Sequence, residues 1–294
     1  MTRTRALFFG MTTIDCIYLA DQPPGCNEKI VADRQLICAG GPGTNAAMTF
    51  NALGGKATLI SCLGLHPLAS VAHNELKLYG VDHMELCPEF SSVPTISSIL
   101  VSKDTGDRSV VSVNSNPIQS HYPDMTKISL HGYTAALFDG QYMTLATALA
   151  GACRQAGIHT VLDGGSWKPG TEKLIRHIDT AICSSNFMPP GISDSENILI
   201  WLQNRGVSEV AITRGAGPIL AAENGTRFEV LPPQITSVRD TLAAGDIFHG
   251  AFTYYYSKNP AGKFSDHLKK AAVIAAGSCI HFGPRKWMND LPAG

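Results

Sequence analysis

The second half of the chain alternates regularly between strand-like and helix-like segments. After residue 130 the strand-like runs are TAALFDG, HTVLDGG, TAICSS and EVAITRG, and helical patterns at 142–157, TEKLIRH and ENILIWLQNRG separate them. This alternation predicts an α/β fold in which a mostly parallel sheet carries helices on both faces. Ligands of such sheets bind beyond the carboxyl ends of the strands. Turns that contain glycine and aspartate fall at those ends: Asp139-Gly140, Asp163-Gly164-Gly165 and Arg214-Gly215-Ala216-Gly217.

The first half adds a second pattern. ALFFG (6–10) and ATLISCLG are predicted buried strands, and the helical run TNAAMTFNALG lies between them. Strand-like runs also occur at 12–18 and 30–38, and a hairpin pattern at 93–113 turns around Asp104-Thr105-Gly106-Asp107. We therefore expect one domain over 1–294, with a small accessory sheet whose strands come from about 12–38 and 93–114.

Charge, cysteine content and hydropathy narrow the class of function. The chain has 23 Lys and Arg against 24 Asp and Glu, so it lacks the basic excess that a nucleic-acid partner requires. Its start is too poor in apolar residues for a secretory signal, and no apolar stretch approaches the roughly 20 residues of a membrane helix. We expect a cytoplasmic protein that binds neither membrane nor nucleic acid. None of the eight cysteines forms a CxxC pair, which predicts reduced, mostly buried thiols and argues against a zinc site.

The stretch DTLAAGDIFHG at 240–250 has the composition of an anion-binding helix start. A helix is predicted from Ala244 onward, and the small residues before it allow a ligand to approach the backbone. Free N–H groups and the helix dipole favour an anion there, and Asp246 lies in the first turn. A carboxylate beside an anion site suits phosphoryl transfer to an alcohol, because it can accept the hydroxyl proton. The alternative is an ordinary helix start with an acidic first turn.

A second glycine cluster, GGPGTNAA at 40–47, also opens a predicted helix. It contains G-x-G-x-x-A, a near-match to the dinucleotide-binding fingerprint. That fingerprint requires an acid about 20 residues further on, but ISCLGLH at 60–66 contains none. The chain also has no G-x-x-x-x-G-K-[ST] motif, so neither a Rossmann nor a Walker site is favoured.

Together, the two motifs resemble the two signatures of the ribokinase-like (PfkB) family of carbohydrate kinases. The first is the Gly-Gly-x-Gly-x-Asn turn, and the second is D-T-x-G-A-G-D-x-F-x-G; here they begin at Gly40 and Asp240. The resemblance spans essentially the whole chain. It implies a ribokinase-like sheet flanked by helices, with the accessory strands forming a lid over the sugar that often pairs between subunits.

The resemblance also implies roles for residues around the acceptor sugar. Asp246 would be the general base, and the backbone of Ala243, Ala244 and Gly245 would form the anion hole with it. Asp15, Gly41 and Asn45 would line the sugar pocket. Asp15 could instead be an ordinary turn acid, and Asn45 could merely cap its helix.

ATP and Mg²⁺ are the cofactors that the resemblance implies, and some members of the family use a monovalent cation as well. The residues that would contact the nucleotide are Ser184, Asn186, Thr213, Gly215, Gly217, Thr241, Ala276, Cys279 and Gly283. For the T-R-G-A-G run at 213–217, the alternative is a plain strand-ending turn.

Three departures from the family pattern stand out. Ala243 replaces the first glycine of the anion hole, and alanine takes a positive φ only at a cost; we expect φ to be negative there. The family's N-x-x-E is incomplete, because Asn186 is followed by Phe-Met-Pro and the register could equally place Ser184 at the Asn position. The turn at Gly64-Leu65-His66-Pro67 lacks the family's Asp, and we interpret it as structural, with His66 as a cap.

The local runs GMTTIDCIY, TVLDGG and GDIFHGAF are similar to the branch that includes sulfofructose kinase. An anionic substrate would need a cation, and Arg108, Lys168 and Arg285 are the candidates, with solvated surface charges as the alternative. We therefore expect an ATP- and Mg²⁺-dependent kinase that acts on a primary sugar hydroxyl. A nucleoside kinase of the same fold and a non-catalytic sugar or nucleotide sensor are the two alternatives.

Overall fold

The centre of the protein is a large, mostly parallel β-sheet. The structure is a computed structural model and describes residues 3–113, 125 and 128–292. The strands are β1 (Arg5–Phe9), β2 (Thr13–Ala20), β3 (Arg34–Gly40), β4 (Lys56–Ser61), β5 (Asp82–Glu85), β6 (Ile96–Ser102), β7 (Arg108–Ser112), β8 (Ala135–Phe138), β9 (His159–Gly164), β10 (Thr180–Ser184), β11 (Glu209–Arg214), β12 (Gly217–Glu223) and β13 (Thr226–Val230). Within the described residues, the large sheet has the order β13-β12-β11-β10-β9-β8-β1-β4-β5. Neighbours from β11 to β5 are parallel, while β12 and β13 form an antiparallel edge.

Helices cover both faces of this sheet. They are α1 (Pro42–Ala52), α2 (Ala69–Leu78), α3 (Met143–Gln155), α4 (Thr171–Ile175), α5 (Ser195–Gln203), α6 (Ala244–Lys258), α7 (Phe264–Ser278) and a short 3₁₀ helix (Lys286–Asp290). Successive side chains of a strand point to opposite faces. Accordingly, Leu7 and Phe9 of β1 join a core with α3, α4 and α5, whereas Ala6 and Phe8 join a core with α1, α2, α6 and α7. The α/β architecture expected from the sequence is confirmed.

A second, smaller sheet has the order β3-β2-β6-β7. Strands β2 and β6 are parallel, and the other neighbours are antiparallel. The predicted hairpin is present as β6 and β7, and the end of the predicted range, residue 114, lies outside the described residues. The sheet has its own small core, formed by Ile17, Cys38, Ile99, Val101 and Phe282.

The element boundaries differ slightly from those expected. Helix α1 begins at Pro42, two positions before the predicted run, because proline is favoured in the first turn, where its missing N–H costs nothing. Strand β3 begins at Arg34 rather than residue 30, because its pairing with β2 starts at Leu19. In the described part of the chain, no helix has the length and apolar character needed to cross a membrane.

Candidate active site

The N-terminus of α6 forms the floor of the candidate site. The helix starts at Ala244 as expected, but the expectation of a negative φ at Ala243 is wrong: φ is +60° and ψ is 8°. A left-handed alanine costs about 1–2 kcal/mol, because its Cβ approaches the following carbonyl. This conformation turns the chain sharply into α6, and the methyl group is buried against Ile247 and Trp287.

Several backbone N–H groups at this helix start are free to bind an anion. Leu242 N donates to Asp240 Oδ1 at 2.8 Å, and Ala244 N donates to Thr241 O at 3.3 Å. Among the described residues, the N–H groups of Ala243, Gly245 and Asp246 have no acceptor. Free N–H groups at the positive end of a helix dipole favour a phosphate or a developing oxyanion.

Asp246 extends from the first turn of α6 and is held by α1. Its Oδ2 accepts a hydrogen bond from Asn45 Nδ2 at 2.7 Å. Burial and, to a smaller extent, the nearby Asp163 carboxylate raise the pKa of Asp246 to about 6, against the opposing effects of the Asn45 hydrogen bond and of His249 and Arg108. A carboxylate with a pKa near the working pH is suited to accept a proton during catalysis.

Asn45 lies inside α1 and does not cap it. The N-cap is Gly41, and α1 has no side-chain cap. The alternative in which Asn45 only caps its helix is therefore wrong. Gly41 has a φ of +93°, and an added Cβ would collide with the Met11 carbonyl, so this position requires glycine.

Asp15 lies in β2, in the small sheet, and is buried. Its Oδ1 accepts a hydrogen bond from Thr13 Oγ1 at 2.6 Å. Burial raises the pKa of Asp15, hydrogen bonds from Thr13 and Ser97 lower it, and the Asp246 charge raises it. The two carboxylates therefore lie near each other, although Asp15 belongs to the small sheet and Asp246 to helix α6.

Gly40 provides the space for Asp15, because a Cβ at this position would overlap the Asp15 carboxylate. On the acceptor-binding role that the family resemblance implies for Asp15, we expect Gly40→Ala to displace Asp15 and to lower kcat/KM for a sugar acceptor by about 10-fold or more, with little change in the KM for ATP. Gly151→Ala is the matched control, because the nearest atoms to its added Cβ are 3.6 Å away. Steady-state kinetics of both variants test the effect. Equal kcat/KM values for the acceptor in the two variants would mean that Asp15 has no role in acceptor binding.

Asp139 is a residue that the sequence marked only as a turn. Its carboxylate is buried and accepts hydrogen bonds from Met11 N (2.8 Å), Gly43 N (3.2 Å) and Gln141 N (3.0 Å). It therefore joins the turn after β1, the start of α1 and the end of β8. Gly10 lacks a Cβ where Asp139 approaches. Asp139 fixes the two loops that lead to Asp15 and Asn45.

Arg285 is neither a surface charge nor available to an anionic substrate. It is 9% exposed, and its Nε donates to Glu75 Oε1 at 3.0 Å. Its Nη1 donates to Asn45 Oδ1 at 2.8 Å, and its Nη2 to Ala39 O at 2.7 Å. Both sequence interpretations of Arg285 are therefore corrected.

The other two candidate cations lie in different settings. Arg108 of β7 donates from Nη1 to Thr241 O and to Thr241 Oγ1, both at 3.1 Å. Thr241 also binds the β6–β7 turn, because its N and its Oγ1 each donate to Gly106 O at 3.1 Å. The small sheet is thus attached to the segment that precedes the anion site.

Lys168 lies near the ends of β8 and β9, where its charge lowers the pKa values of Asp139 and Asp163.

Asp163 and His249 form a buried pair behind Asp246. His249 Nδ1 lies 2.6 Å from Gly245 O, and Nε2 lies 3.0 Å from Ile182 O. Asp163 Oδ2 has no hydrogen bond among the described residues but lies 3.4 Å from His249 Nδ1. Both ring nitrogens of His249 thus lie against backbone carbonyl oxygens, and the Asp163 carboxylate lies beside Nδ1. The position of Asp163 at the end of a predicted strand is the one feature of the sequence that points to this pair.

Apart from Thr241, which binds the β6–β7 turn, the expected nucleotide residues fall into two groups. Ser184 ends β10 and accepts a hydrogen bond at Oγ from Asn186 N at 3.1 Å. Thr213 lies in β11, and Gly217 begins β12, so the T-R-G-A-G run is the hairpin turn between these strands, with Gly215 at a φ of +60°. This turn follows the end of β11. Because β10 and β11 are parallel and Ser184 pairs with Thr213, the turn and Ser184 lie at the same edge of the sheet.

The second group lies after α6. Ala276 is in the last turn of α7, Cys279 follows as its C-cap, and Gly283 has a φ of +83°. Asp240 joins this segment to the anion site, because its Oδ2 accepts from Gly283 N at 2.8 Å. The second glycine motif thus combines the free N–H groups at the start of α6 with Asp240, which ties the segment before α6 to the one after α7. His66, the expected cap, accepts at Nδ1 from Leu68 N at 3.2 Å.

Comparison with known proteins places this arrangement in a family. The family model described as "pfkB family carbohydrate kinase" matches residues 3–290. The chain is 23% identical over 238 residues to the ribokinase of Haemophilus influenzae, covering 76% of each chain. Its fold is similar to that of an Arabidopsis thaliana ribokinase solved with ribose and ATP (TM-score 0.76, 18% identity, 100% of each chain). It is also similar to an adenosine kinase from Sinorhizobium meliloti (TM-score 0.77, 16% identity, 96% of each chain).

The match extends over nearly the whole length of the sequence and includes both glycine motifs, the α6 N-terminus and the large parallel sheet that positions them. This chain therefore belongs to the pfkB family of carbohydrate kinases.

Proposed function

We propose that this protein is an ATP-dependent kinase that phosphorylates a primary hydroxyl of a sugar or sugar derivative. The observation that carries the proposal is the position of Asp246, whose pKa is raised to about 6, beside free N–H groups at the start of α6. Family membership and the ribokinase-like fold support the same reaction class.

The reaction follows from the roles of these groups. Asp246 accepts the proton of the acceptor hydroxyl, and the hydroxyl oxygen forms a bond to the γ-phosphorus of ATP. The bond between that phosphorus and the bridging oxygen breaks, and ADP leaves with the electron pair. The N–H groups of Ala243, Gly245 and Asp246 stabilise the negative charge on the transferring phosphoryl group.

Mg²⁺ would neutralise charge on the phosphates of ATP. Among the described residues, no group of three or more His, Cys, Asp or Glu side chains could hold a metal ion. Mg²⁺ is usually held by one or two carboxylates together with substrate phosphates. The donor set is therefore consistent with an ion that enters with the nucleotide, and no residue of the chain is assigned to it.

The remaining expected residues are proposed in the roles that the family pattern implies. Asp15, Gly41 and Asn45 line the acceptor pocket, and the small sheet acts as a lid that excludes water during transfer. The residues at the ends of β10 and β11 and after α7 contact the nucleotide. The attachment of Arg108 to Thr241 supports this arrangement, because it connects the small sheet to the anion site.

The test is ADP release from the purified protein with ATP and Mg²⁺. The panel of acceptors contains ketoses, aldoses, sulfosugars, sugar phosphates and nucleosides. Anionic sugars are included because Lys168 lies near the ends of β8 and β9, and nucleosides because adenosine kinase has a similar fold. Release that depends on a sugar supports the proposal; release only with nucleosides, or none with any acceptor while ATP still binds, rejects it.

We also propose that two copies of the chain pair through their small sheets. Strands β3 and β7 end the strand order of that sheet, and Ile37, Val110 and Val111 on them are exposed. An exposed apolar edge strand is a template for pairing with another chain. Light scattering is expected to give the mass of a dimer at micromolar concentration, and Val111→Lys that of a monomer. A wild-type monomer at these concentrations would refute the pairing.

A further inference from the structure

A chain of side chains connects the C-terminal segment to the proposed base. Arg285 Nη1 donates to Asn45 Oδ1 at 2.8 Å, and Asn45 Nδ2 donates to Asp246 Oδ2 at 2.7 Å. These residues are separated by 240 and 201 positions in the sequence. The connection therefore exists only in the folded protein.

The direction of each hydrogen bond in this chain is fixed by chemistry. A guanidinium has only donors, and an ionised carboxylate has only acceptors. The Asn45 amide must therefore present its oxygen to Arg285 and its nitrogen to Asp246. With the amide reversed, two donors would face each other and two acceptors would face each other, so Arg285 determines that Asn45 donates to the base.

Arg285 is itself held in place by two further contacts. Its Nε donates to Glu75 Oε1 at 3.0 Å, and its Nη2 donates to Ala39 O at 2.7 Å. Glu75 Oε2 also accepts a hydrogen bond from Ala39 N at 2.5 Å. Both side chains are largely buried, at 9% exposure for Arg285 and 15% for Glu75. The guanidinium therefore has little freedom to leave Asn45.

We propose that Arg285 is a positioning residue for phosphoryl transfer: through the Asn45 amide, it holds Asp246 in the geometry that accepts the proton of the hydroxyl. This inference rests on the proposed function. Arg285 does not touch the reacting atoms in this role. It acts only through the amide, so its removal is expected to have the same effect on Asp246 as the removal of the Asn45 side chain.

The surroundings of Asp246 predict how the pH profile responds. Asp163 from β9 raises its pKa, and the Asn45 hydrogen bond from α1, His249 from α6 and Arg108 from β7 lower it; Asp15 from β2 lies near enough to interact with its charge. The charges that act most strongly on Asp246 are those of Asp163, His249 and Arg108. Loss of the amide donor therefore removes a stabilising contact to the ionised carboxylate, and the acid limb of kcat moves to higher pH.

The experiment is a double-mutant cycle between Arg285 and Asn45. Arg285→Met alone would leave the Glu75 carboxylate buried without its partner, so it is combined with Glu75→Gln, and Glu75→Gln alone is the matched control. We expect the Arg285→Met/Glu75→Gln variant to lose about 10- to 100-fold in kcat, with the KM for ATP unchanged. Its acid limb is expected to move up by about one pH unit. Asn45→Ala is expected to reproduce this shift, and adding it to the Arg285 variant is expected to move the limb no further.

The outcomes separate positioning from a structural role. A loss of thermal stability with an unchanged acid limb would make Arg285 purely structural and overturn the proposal, as would shifts that add in the combined variant. If no acceptor gives ADP release from the wild type, the proposed function fails. In that case the carboxyl ¹³C titration of Asp246, assigned with Asp246→Asn, decides the question: an upward move in both the Arg285 and the Asn45 variants supports the connection, and no move rejects it.

Discussion

Asp246→Asn is expected to abolish acceptor-dependent ADP release while leaving the fold intact. An amide cannot accept the hydroxyl proton, and general-base assistance is worth about 10²- to 10⁴-fold in rate. The substitution keeps the shape of the side chain, and its oxygen can still accept the hydrogen bond from Asn45 Nδ2. Steady-state turnover and circular dichroism of the same preparation measure the two effects.

Asp266→Asn is the matched control. Asp266 occupies the first turn of α7 as Asp246 occupies the first turn of α6, but it is exposed and its carboxylate lies 3.8 Å from Lys269 Nζ. We expect its turnover to equal that of the wild type. If Asp246→Asn also retained near-wild-type turnover, Asp246 would not be the base, and the central role proposed for it would fall.

The same substitution is expected to stabilise the protein above neutral pH. Burial raises the pKa of Asp246 to about 6, from a usual value of 3.8. The group therefore contributes fully to stability only below pH 3.8, where it is protonated in both states, and this contribution is lost as the pH rises through 6. Because Asp246 is partly exposed, we expect Asp246→Asn to gain only about 1–2 kcal/mol in the free energy of unfolding at pH 8. The gain should shrink toward pH 4, as urea unfolding at both pH values would measure.

The parts of this site that follow local rules were predictable from the sequence. The strand–helix alternation predicted the parallel sheet, and small residues before Asp246 predicted the helix start at Ala244. Both signals depend only on neighbouring residues, namely periodicity and the loss of side-chain bulk where a backbone turns. The sequence therefore predicted the elements that carry the candidate site.

The long-range contacts were not predictable in the same way. Arg285 was expected to be either a substrate contact or a surface charge, because nothing near it in the sequence reveals Asn45 or Glu75 as partners. Asp139 was interpreted only as part of a turn. Two of the three N–H groups that donate to its carboxylate come from segments about 100 or more positions away, so the neighbouring sequence does not reveal them. A side chain whose partners come from other elements is defined by the topology, and periodicity carries no information about it.

Ala243 illustrates a third kind of failure, in which a local rule is broken at the site itself. Alanine avoids positive φ, so a negative φ was the reasonable expectation, yet the structure has +60°. Strained conformations tend to occur where the surrounding structure enforces them at functional positions. Two contacts hold Ala243 in this conformation. Leu242 N, one residue before it, donates a hydrogen bond to Asp240 Oδ1, and the Ala243 methyl group packs against Ile247 and Trp287.

Ala243→Val is expected to damage both stability and turnover. A β-branched residue at positive φ is a severe outlier, and the backbone would have to move to relieve it. We expect a loss of about 2 kcal/mol or more, which corresponds to a decrease of about 3 °C or more in Tm for a protein of this size. Movement of the Ala243 N–H away from the phosphate should lower kcat by about 100-fold. Differential scanning fluorimetry and steady-state kinetics measure the two effects.

Ala243→Gly is the counterpart that separates strain from packing. Glycine removes about 1–2 kcal/mol of left-handed strain. It also loses a buried methyl worth about 0.8 kcal/mol and increases the entropy of the unfolded chain by about 0.4–1 kcal/mol. These effects nearly cancel, so Tm and kcat should both stay close to wild type. For Ala243→Gly, a kcat more than about 10-fold above wild type would instead mean that the alanine limits phosphoryl transfer. For Ala243→Val, a kcat near that of the wild type would show that the Ala243 N–H does not stabilise the phosphoryl group.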